Sequence, residues 1–294
     1  MYSIEQYKTH IELINKGEQS KAIIALNNQG GRLKSLYFKD KAIVEDLEHI
    51  DYNKSHAGAI LFPFANRINE GKYEFQGSQY SLPCNEPGRD NAIHGLIFDK
   101  QFIVDESQTT SKYARVVLSY TENKPPEGYP FPFKIELKYT LKQTALSLEV
   151  KVHNIGDKDL PFNLGWHPYF CVNSFDSSFM SFKSHKQVIF NENLISLGMS
   201  EIKIPDPYSL KDKTLDDCFV LYDKNVELYT DDYAIMISGK PKSDYLQIYA
   251  PPKEKRLAVE PMTGISDSFN HKRGIHILKP NNTKKETWTI SLKS

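Results

Sequence analysis

Residues 133–152, FKIELKYTLKQTALSLEVKV, alternate between apolar and polar for most of their length. Within them Glu136, Lys138 and Thr140 share one face, and Ile135, Leu137, Tyr139 and Leu141 share the other. A period of two belongs to an extended chain with one face buried; a helix would scatter these apolar residues around its surface. The same rhythm recurs in YARVVLSYTE, SFMSFKSHKQVIF, VELYTDDYAIMISG, YLQIYAP and ETWTISLK, all rich in β-branched and aromatic residues. KAIIALNNQGGRLKSLYF turns at Gly30-Gly31, and GKYEFQGSQYSL reads as a hairpin joined at Gly77-Ser78. Helical signals are thin, although a stretch near the N-terminus fits a turn or two. Many short strands separated by turns imply a sandwich or barrel. No linker-like composition break and no fixed-period repeat divides the chain. Residues 1–294 are therefore expected to form a single all-β domain, a large antiparallel β-sandwich.

Charge and composition narrow the partners. Lys and Arg total 37 and Asp and Glu total 37, so the formal net charge is zero. Nucleic-acid and anionic-membrane binding normally need a basic surplus, so neither is expected. The N-terminal MYSIEQYKTHIELI is too polar for a signal peptide, and no apolar run approaches the ~20 residues of a membrane span. Cys84, Cys171 and Cys218 are far apart and odd in number, which suits free thiols in a reducing compartment. A cytoplasmic protein with a small-molecule partner is expected, with monomer and homodimer both left open. Asn281-Asn282-Thr283 then reads as a turn before the last strand.

Five segments break the strand rhythm with polar residues in apolar surroundings: LFPFANRINEG (61–71), DNAIHGLIF (90–98), NLGWHPYF (163–170), TLDDCFVL (214–221) and LAVEPMTGISDSFN (257–270). Taken singly, Arg67 after Asn66 reads as a turn-closing arginine, His94 and His167 as satisfied histidines, and Asp216 and Asp217 as turn formers. Glu260 is harder to explain as solvated surface, because Leu257, Ala258 and Val259 lead into it and Pro261 is expected to stop the strand behind it. If the loops meet at one end of a sandwich, a carboxylate, two imidazoles, an arginine and an aspartate converge. That set suits proton transfer on a polar, uncharged substrate. Zinc-type Cys/His spacing, a phosphate-binding glycine loop and a GxSxG elbow are all missing, so neither a metal nor a cofactor is expected.

At these residues the sequence resembles the aldose 1-epimerase, or galactose mutarotase-like, family. The similarity runs in order along nearly the whole chain: PFANRI with a following G-x-Y-x-F-x-G-x-x-Y, His94-Gly95, HPYF at 167–170, Asp216-x-x-Phe219, Glu260-Pro261-Met262 with Phe269-Asn270 beyond, and GIHILKPNNT near the end. The resemblance implies a β-sandwich with a sugar site among its loops. It implies Glu260 as the base at the anomeric hydroxyl and His167 as the acid at the ring oxygen. Arg67, His94 and Asp216, with Asn66 beside Arg67, would bind the sugar hydroxyls and help polarise the ring oxygen. Asp216 is preferred to Asp217 because it stands three residues before Phe219. The family often has a tryptophan several residues beyond the His-Gly pair; here LIFDKQF makes Phe98 and Phe102 the nearest aromatics. WHPYF also resembles a bacterial branch more than typical galactose mutarotases.

The implied chemistry is anomer exchange of a free hexose. Histidine reaches the neutral range without perturbation, at about 6.5, whereas a glutamate starting near 4.3 needs partial burial. The neighbours of His167 (Trp166, Pro168, Tyr169 and Phe170) are expected to fix its rotamer and exclude bulk water. Other readings within the same fold are a hexose-6-phosphate mutarotase, which needs extra cations such as Lys72, Arg89 or Lys100, and a non-catalytic carbohydrate-binding protein. A glycoside hydrolase using Asp216 and Glu260 is the third.

Overall fold

The Phe133–Lys142 and Ala145–Asn154 strands bury alternate side chains, with Ile135, Leu137, Tyr139 and Leu141 fully inside. This computed structural model describes every residue except Glu48, Lys242 and Ser294. The polar face of the pair forms cross-strand ion pairs, such as Lys138 with Glu149 at 2.6 Å. Each large apolar side chain moved from water into such a face contributes about 1.5–3 kcal/mol. About 53% of the chain is strand and 4% helix, so β pairing carries the fold.

The long strand Asp216–Tyr229 forks the sheet. Its second half, Asn225–Tyr229, pairs with Ala234–Lys240. That ladder continues through Thr283–Leu292, Ala145–Asn154, Phe133–Lys142, Ala114–Glu122 and Ile103–Thr109. Its first half, Asp216–Val220, pairs with Tyr245–Tyr249. This second ladder continues through Arg256–Met262, Tyr169–Cys171, Lys41–Val44, Leu33–Phe38, Ser20–Ala25, His10–Asn15 and Tyr2–Gln6. All of these pairings are antiparallel. The two branches fold over one another, so His10–Asn15 packs across from Ala114–Glu122 and Phe133–Lys142. The result is a sandwich. Trp166 on one side and Trp288 on the other stack between the layers, ring centres 6.3 Å apart and both fully buried.

Three local expectations change. The N-terminal stretch is strand: Ile11 and Leu13 alternate into the core from His10–Asn15, and the α-helices are confined to Tyr52–Ser55 and Ser268–His271 among the described residues. The hairpin between Lys72–Phe75 and Ser78–Ser81 turns at Gln76-Gly77, both at positive φ, rather than at Gly77-Ser78. Pro261 does not stop its strand, which runs Arg256–Met262. Val259 donates to the Pro168 carbonyl, and Pro261, two residues on, faces the same side. There the neighbouring chain leaves the ladder between Gly165–Trp166 and Tyr169–Cys171, so no donor is missed. Among the described residues no helix is long and apolar enough to cross a membrane.

Two short ladders place the loops at the forked end. Arg67–Ile68 pairs with Ala92–Ile93, and the His94 N–H donates to the Asn66 carbonyl at 3.0 Å. Gly95 follows at φ +83°, bridged to Phe62, and a Cβ placed on it would lie 2.2 Å from the Phe62 carbonyl oxygen. Only glycine fits this approach. Gly95→Ala is therefore expected to destabilise the protein by about 2–4 kcal/mol, combining left-handed backbone strain with overpacking. Denaturant unfolding measures it, and a change below about 0.5 kcal/mol, the scatter of ordinary surface substitutions, would contradict the assignment.

Candidate active site

Asn66, Arg67, His94, His167, Asp216 and Glu260, scattered over almost 200 positions, line one cavity of about 560 Å³. The strands supply one wall. Glu260 stands opposite Gln247 across the Arg256–Met262 and Tyr245–Tyr249 pairing, and Asp216 lies opposite Tyr249 one strand further on. Because side chains alternate along a strand, Asp216 turns to the cavity and Asp217 turns away, accepting from Gln187 Nε2 at 2.6 Å. The geometry thus selects between the two adjacent aspartates. Gln247 Nε2 donates to Asp216 Oδ1 at 2.8 Å, and its Oε1 accepts from Asn66 Nδ2 at 3.4 Å. Gln247 therefore ties the loop wall to the strand wall.

Loops and short connections supply the rest of the wall. His167 follows the short Gly165–Trp166 strand, and its backbone is zipped to the 58–59 segment: Gly58 N–H donates to its carbonyl at 2.8 Å and its own N–H to Ala59 at 3.0 Å. The imidazole is held as a result. His167 Nε2 lies 3.3 Å from Glu260 Oε1, with both side chains almost wholly buried. Glu260 Oε2 and His167 Nδ1 have no partner among the described residues. Of the bulky neighbours expected to clamp the imidazole, Tyr169 does so, stacked at 4.9 Å and 24°. Trp166 points the other way, into the core.

Burial drives the electrostatics. It raises the Glu260 carboxyl well above its usual range, with the Asp216 charge adding to the effect. It lowers His167 to about 3, assisted by His56. His94 is likewise pushed well below 6.5, by burial first and then by His56 and His167. An imidazole near its ordinary value was the sequence-based expectation; depriving it of water disfavours its charged form. Asp216 is raised, again mainly by burial. Each member of the Glu260–His167 pair is thus pushed toward its neutral form, and over a wide pH range the two hold one proton between them.

Arg67 is already engaged. Its Nε and Nη2 donate to Glu86 at 2.7–3.0 Å, and Nη1 donates to Asn66 Oδ1 at 3.1 Å. Burial would raise Glu86, but the Arg67 hydrogen bonds and charge outweigh it and hold the carboxyl below its usual value. Sequence reading missed Glu86, Gln247, Tyr249 and His56, all on the cavity wall. Gln247 had a signal, as the one strongly polar residue in the YLQIY run. His56, in KSHAGA between small residues, had none. Neither Phe98 nor Phe102 lines the cavity; Phe98 instead backs His56 edge-on at 4.6 Å. Among the described residues no group of three or more His, Cys, Asp or Glu side chains is placed to hold a metal ion.

A β-sandwich whose forked sheet carries a buried carboxyl–imidazole pair on a cavity wall is an arrangement able to give and take a proton. The aldose 1-epimerase family model matches residues 10–291, and the chain belongs to that family. The uncharacterized protein YihR of Escherichia coli is 29% identical over 262 residues, 85% of this chain and 82% of that protein. Galactose mutarotase of Rattus norvegicus is 30% identical over 128 residues, 42% of this chain and 35% of that protein. A galactose mutarotase-like protein of Clostridium acetobutylicum has the same fold, with a TM-score of 0.89 at 20% identity over 100% of this chain and 98% of that one. Galactose 1-epimerase of Lactobacillus acidophilus superposes with a TM-score of 0.79 at 18% identity, over 100% and 98% of the two chains.

In an NMR titration of the ¹⁵N-labelled protein, His56 and His167 should stay neutral from pH 8 to about pH 5, because burial lowers them to about 4 and about 3. Protonation of His167 near its reference value of about 6.5 would show the site to be open to water.

Proposed function

We propose that the chain is a mutarotase, interconverting the α- and β-anomers of a free hexose. The observation that carries this reading is the 3.3 Å contact between His167 Nε2 and Glu260 Oε1 on the wall of the cavity. In ring opening, the Glu260 carboxylate takes the O1 proton while protonated His167 delivers one to the ring oxygen. The C1–ring oxygen bond breaks and a C1 aldehyde forms. Rotation about C1–C2 presents the other face, and closure reverses both proton transfers. No electrons or groups leave the sugar, so the reaction calls on no cofactor. Opening converts carboxylate plus imidazolium into carboxylic acid plus imidazole, which is the single proton of the pair in its two positions. Because burial raises Glu260 and lowers His167, the acid–imidazole state is the lower of the two in the empty site, and ring opening draws on the less populated carboxylate–imidazolium state.

Asp216, Gln247 and Asn66 form a hydrogen-bonded row suited to sugar hydroxyls. The cations named for a hexose 6-phosphate are already paired: Lys72 is exposed and bound to Glu70, Lys100 is bound to Asp99, and Arg89, which reaches the cavity, contacts Glu86; Lys54 also lines the cavity. A purely binding role would not require the matched acid and base.

Polarimetry of freshly dissolved α-D-glucose and α-D-galactose tests the reading. Glu260→Gln and His167→Ala should each lower kcat by about 10²–10⁴-fold, the usual contribution of a positioned proton-transfer group. Asp216→Asn should raise KM, and Asp217→Asn should leave the rate near wild type. A wild-type rate in Glu260→Gln would remove the base from the mechanism.

The pH profile carries its own signature. A second proton adds only at low pH, because His167 is lowered to about 3; the single proton is lost only far above the ordinary glutamate range, because Glu260 is raised. Activity should therefore hold as pH rises through about 6.5, where an unperturbed imidazolium acid would be lost. In Asp216→Asn the alkaline limb should move to lower pH, since Asp216 helps to raise Glu260. Loss of kcat/KM centred near 6.5 would contradict the one-proton pair.

A further inference from the structure

His56 belongs to no family motif in this sequence, yet its ring is built into the cavity wall and only 4% of the residue is exposed. It caps the Tyr52–Ser55 helix in the left-handed conformation, φ 49° and ψ 30°, which turns its side chain from the helix end into the site. The segment is held from behind. Buried Arg32 donates to the Ala57 carbonyl at 2.8 Å, pairs with Asp46, and lies over the Tyr52 ring at 4.1 Å. Tyr52 Oη donates to the Phe98 carbonyl at 2.8 Å. Phe98 packs edge-on against the His56 ring, and His94 lies 4.9 Å away on the other side. A buried guanidinium is a demanding way to fix a loop, and here it fixes one imidazole.

His56 Nε2 is buried on the cavity wall with no hydrogen-bond partner among the described residues. With its proton on Nδ1, a neutral ring presents Nε2 as a bare acceptor. Burial keeps it neutral, lowering it to about 4. A bare acceptor on a cavity wall selects a donor, and a sugar's donors are its hydroxyls.

Which hydroxyl follows from the order of groups, and this step rests on the mutarotase reading. Glu260 is assigned to O1 and His167 to the ring oxygen. Asp216 and Gln247 sit on the strands beside Glu260, while His56 and His94 sit in the loops beyond His167. In a pyranose the path from C1 away from the ring oxygen reaches C2 and C3; the path through the ring oxygen reaches C5 and its C6 arm. The strand side therefore faces C2 and C3, and the histidine side faces C5 and C6. We infer that His56 is a specificity-determining residue whose Nε2 accepts a hydrogen bond from the C6 hydroxyl of an unphosphorylated hexose, in the wall position where Phe98 serves only as backing. A phosphate at C6 would set a dianion against the same lone pair.

The test compares kcat/KM for D-galactose with D-fucose, its 6-deoxy form, and for D-glucose with D-glucose 6-phosphate. Wild type should favour galactose over fucose by about tenfold, the size of one good hydrogen bond, and should favour glucose over its 6-phosphate. In His56→Ala the galactose/fucose ratio should fall toward one, chiefly through a higher KM for galactose. His56→Gln, which keeps an acceptor, should restore part of the ratio and carries the test if the alanine variant does not fold. A wild-type ratio near one, an unchanged ratio in both variants, or faster turnover of the 6-phosphate would overturn the assignment while leaving the mutarotase reading intact. Failure of the wild type to accelerate mutarotation of any of these sugars would instead overturn the mutarotase reading, and the C6 assignment with it.

Discussion

A carboxyl and an imidazole, 3.3 Å apart and nearly sealed from water, set the terms for the rest of this molecule. Charging either group in that environment is unfavourable by several kcal/mol, and charging both is tolerable only as a touching pair. Between them they hold one proton with two places to reside. Such a balance survives only if the separation is fixed and bulk water is kept out. The sandwich does the first by setting Glu260 in a strand with neighbours on both sides, and the surrounding loops do the second.

The two walls of the cavity are built on different principles. Asp216, Gln247 and Glu260 come from adjacent strands, where register and period two decide which side chains face the site. Asn66, His94 and His56 come from loops, and all three have positive φ, at 60°, 62° and 49°. Residues other than glycine in that region are strained, and they persist where surrounding contacts over-determine them. Here those contacts are visible: the Arg67–Ile68 and Ala92–Ile93 ladder, the Gly95 approach to Phe62, and the Arg32 scaffold behind His56. Conformational strain at this end of the sandwich is offset by the packing of its layers.

Much of this was legible in the chain. The alternation in FKIELKYTL is a local property, because each residue's face follows from the one before it; the strands therefore appeared where expected. The N-terminal strands were obscured because their apolar face emerges only when Ile11 and Leu13 find a second layer. Pro261 was misread as a stop because its harmlessness depends on a gap in a strand nearly a hundred residues away. Among site residues, Glu260 stood out as a charge in an apolar run. His56 and Glu86 did not, since nothing in their immediate neighbours records that a distant histidine or arginine will meet them.

The sequence by itself determined the class of fold, the family and the order of the polar segments, because hydrophobic period and motif order are written along one dimension. Tertiary structure decided which of two adjacent aspartates faces the cavity, that Arg67 is already shared with Glu86, and that burial moves His167 down while moving Glu260 up. Those outcomes depend on distance and on the exclusion of water, and both are fixed only when strands remote in sequence pack together.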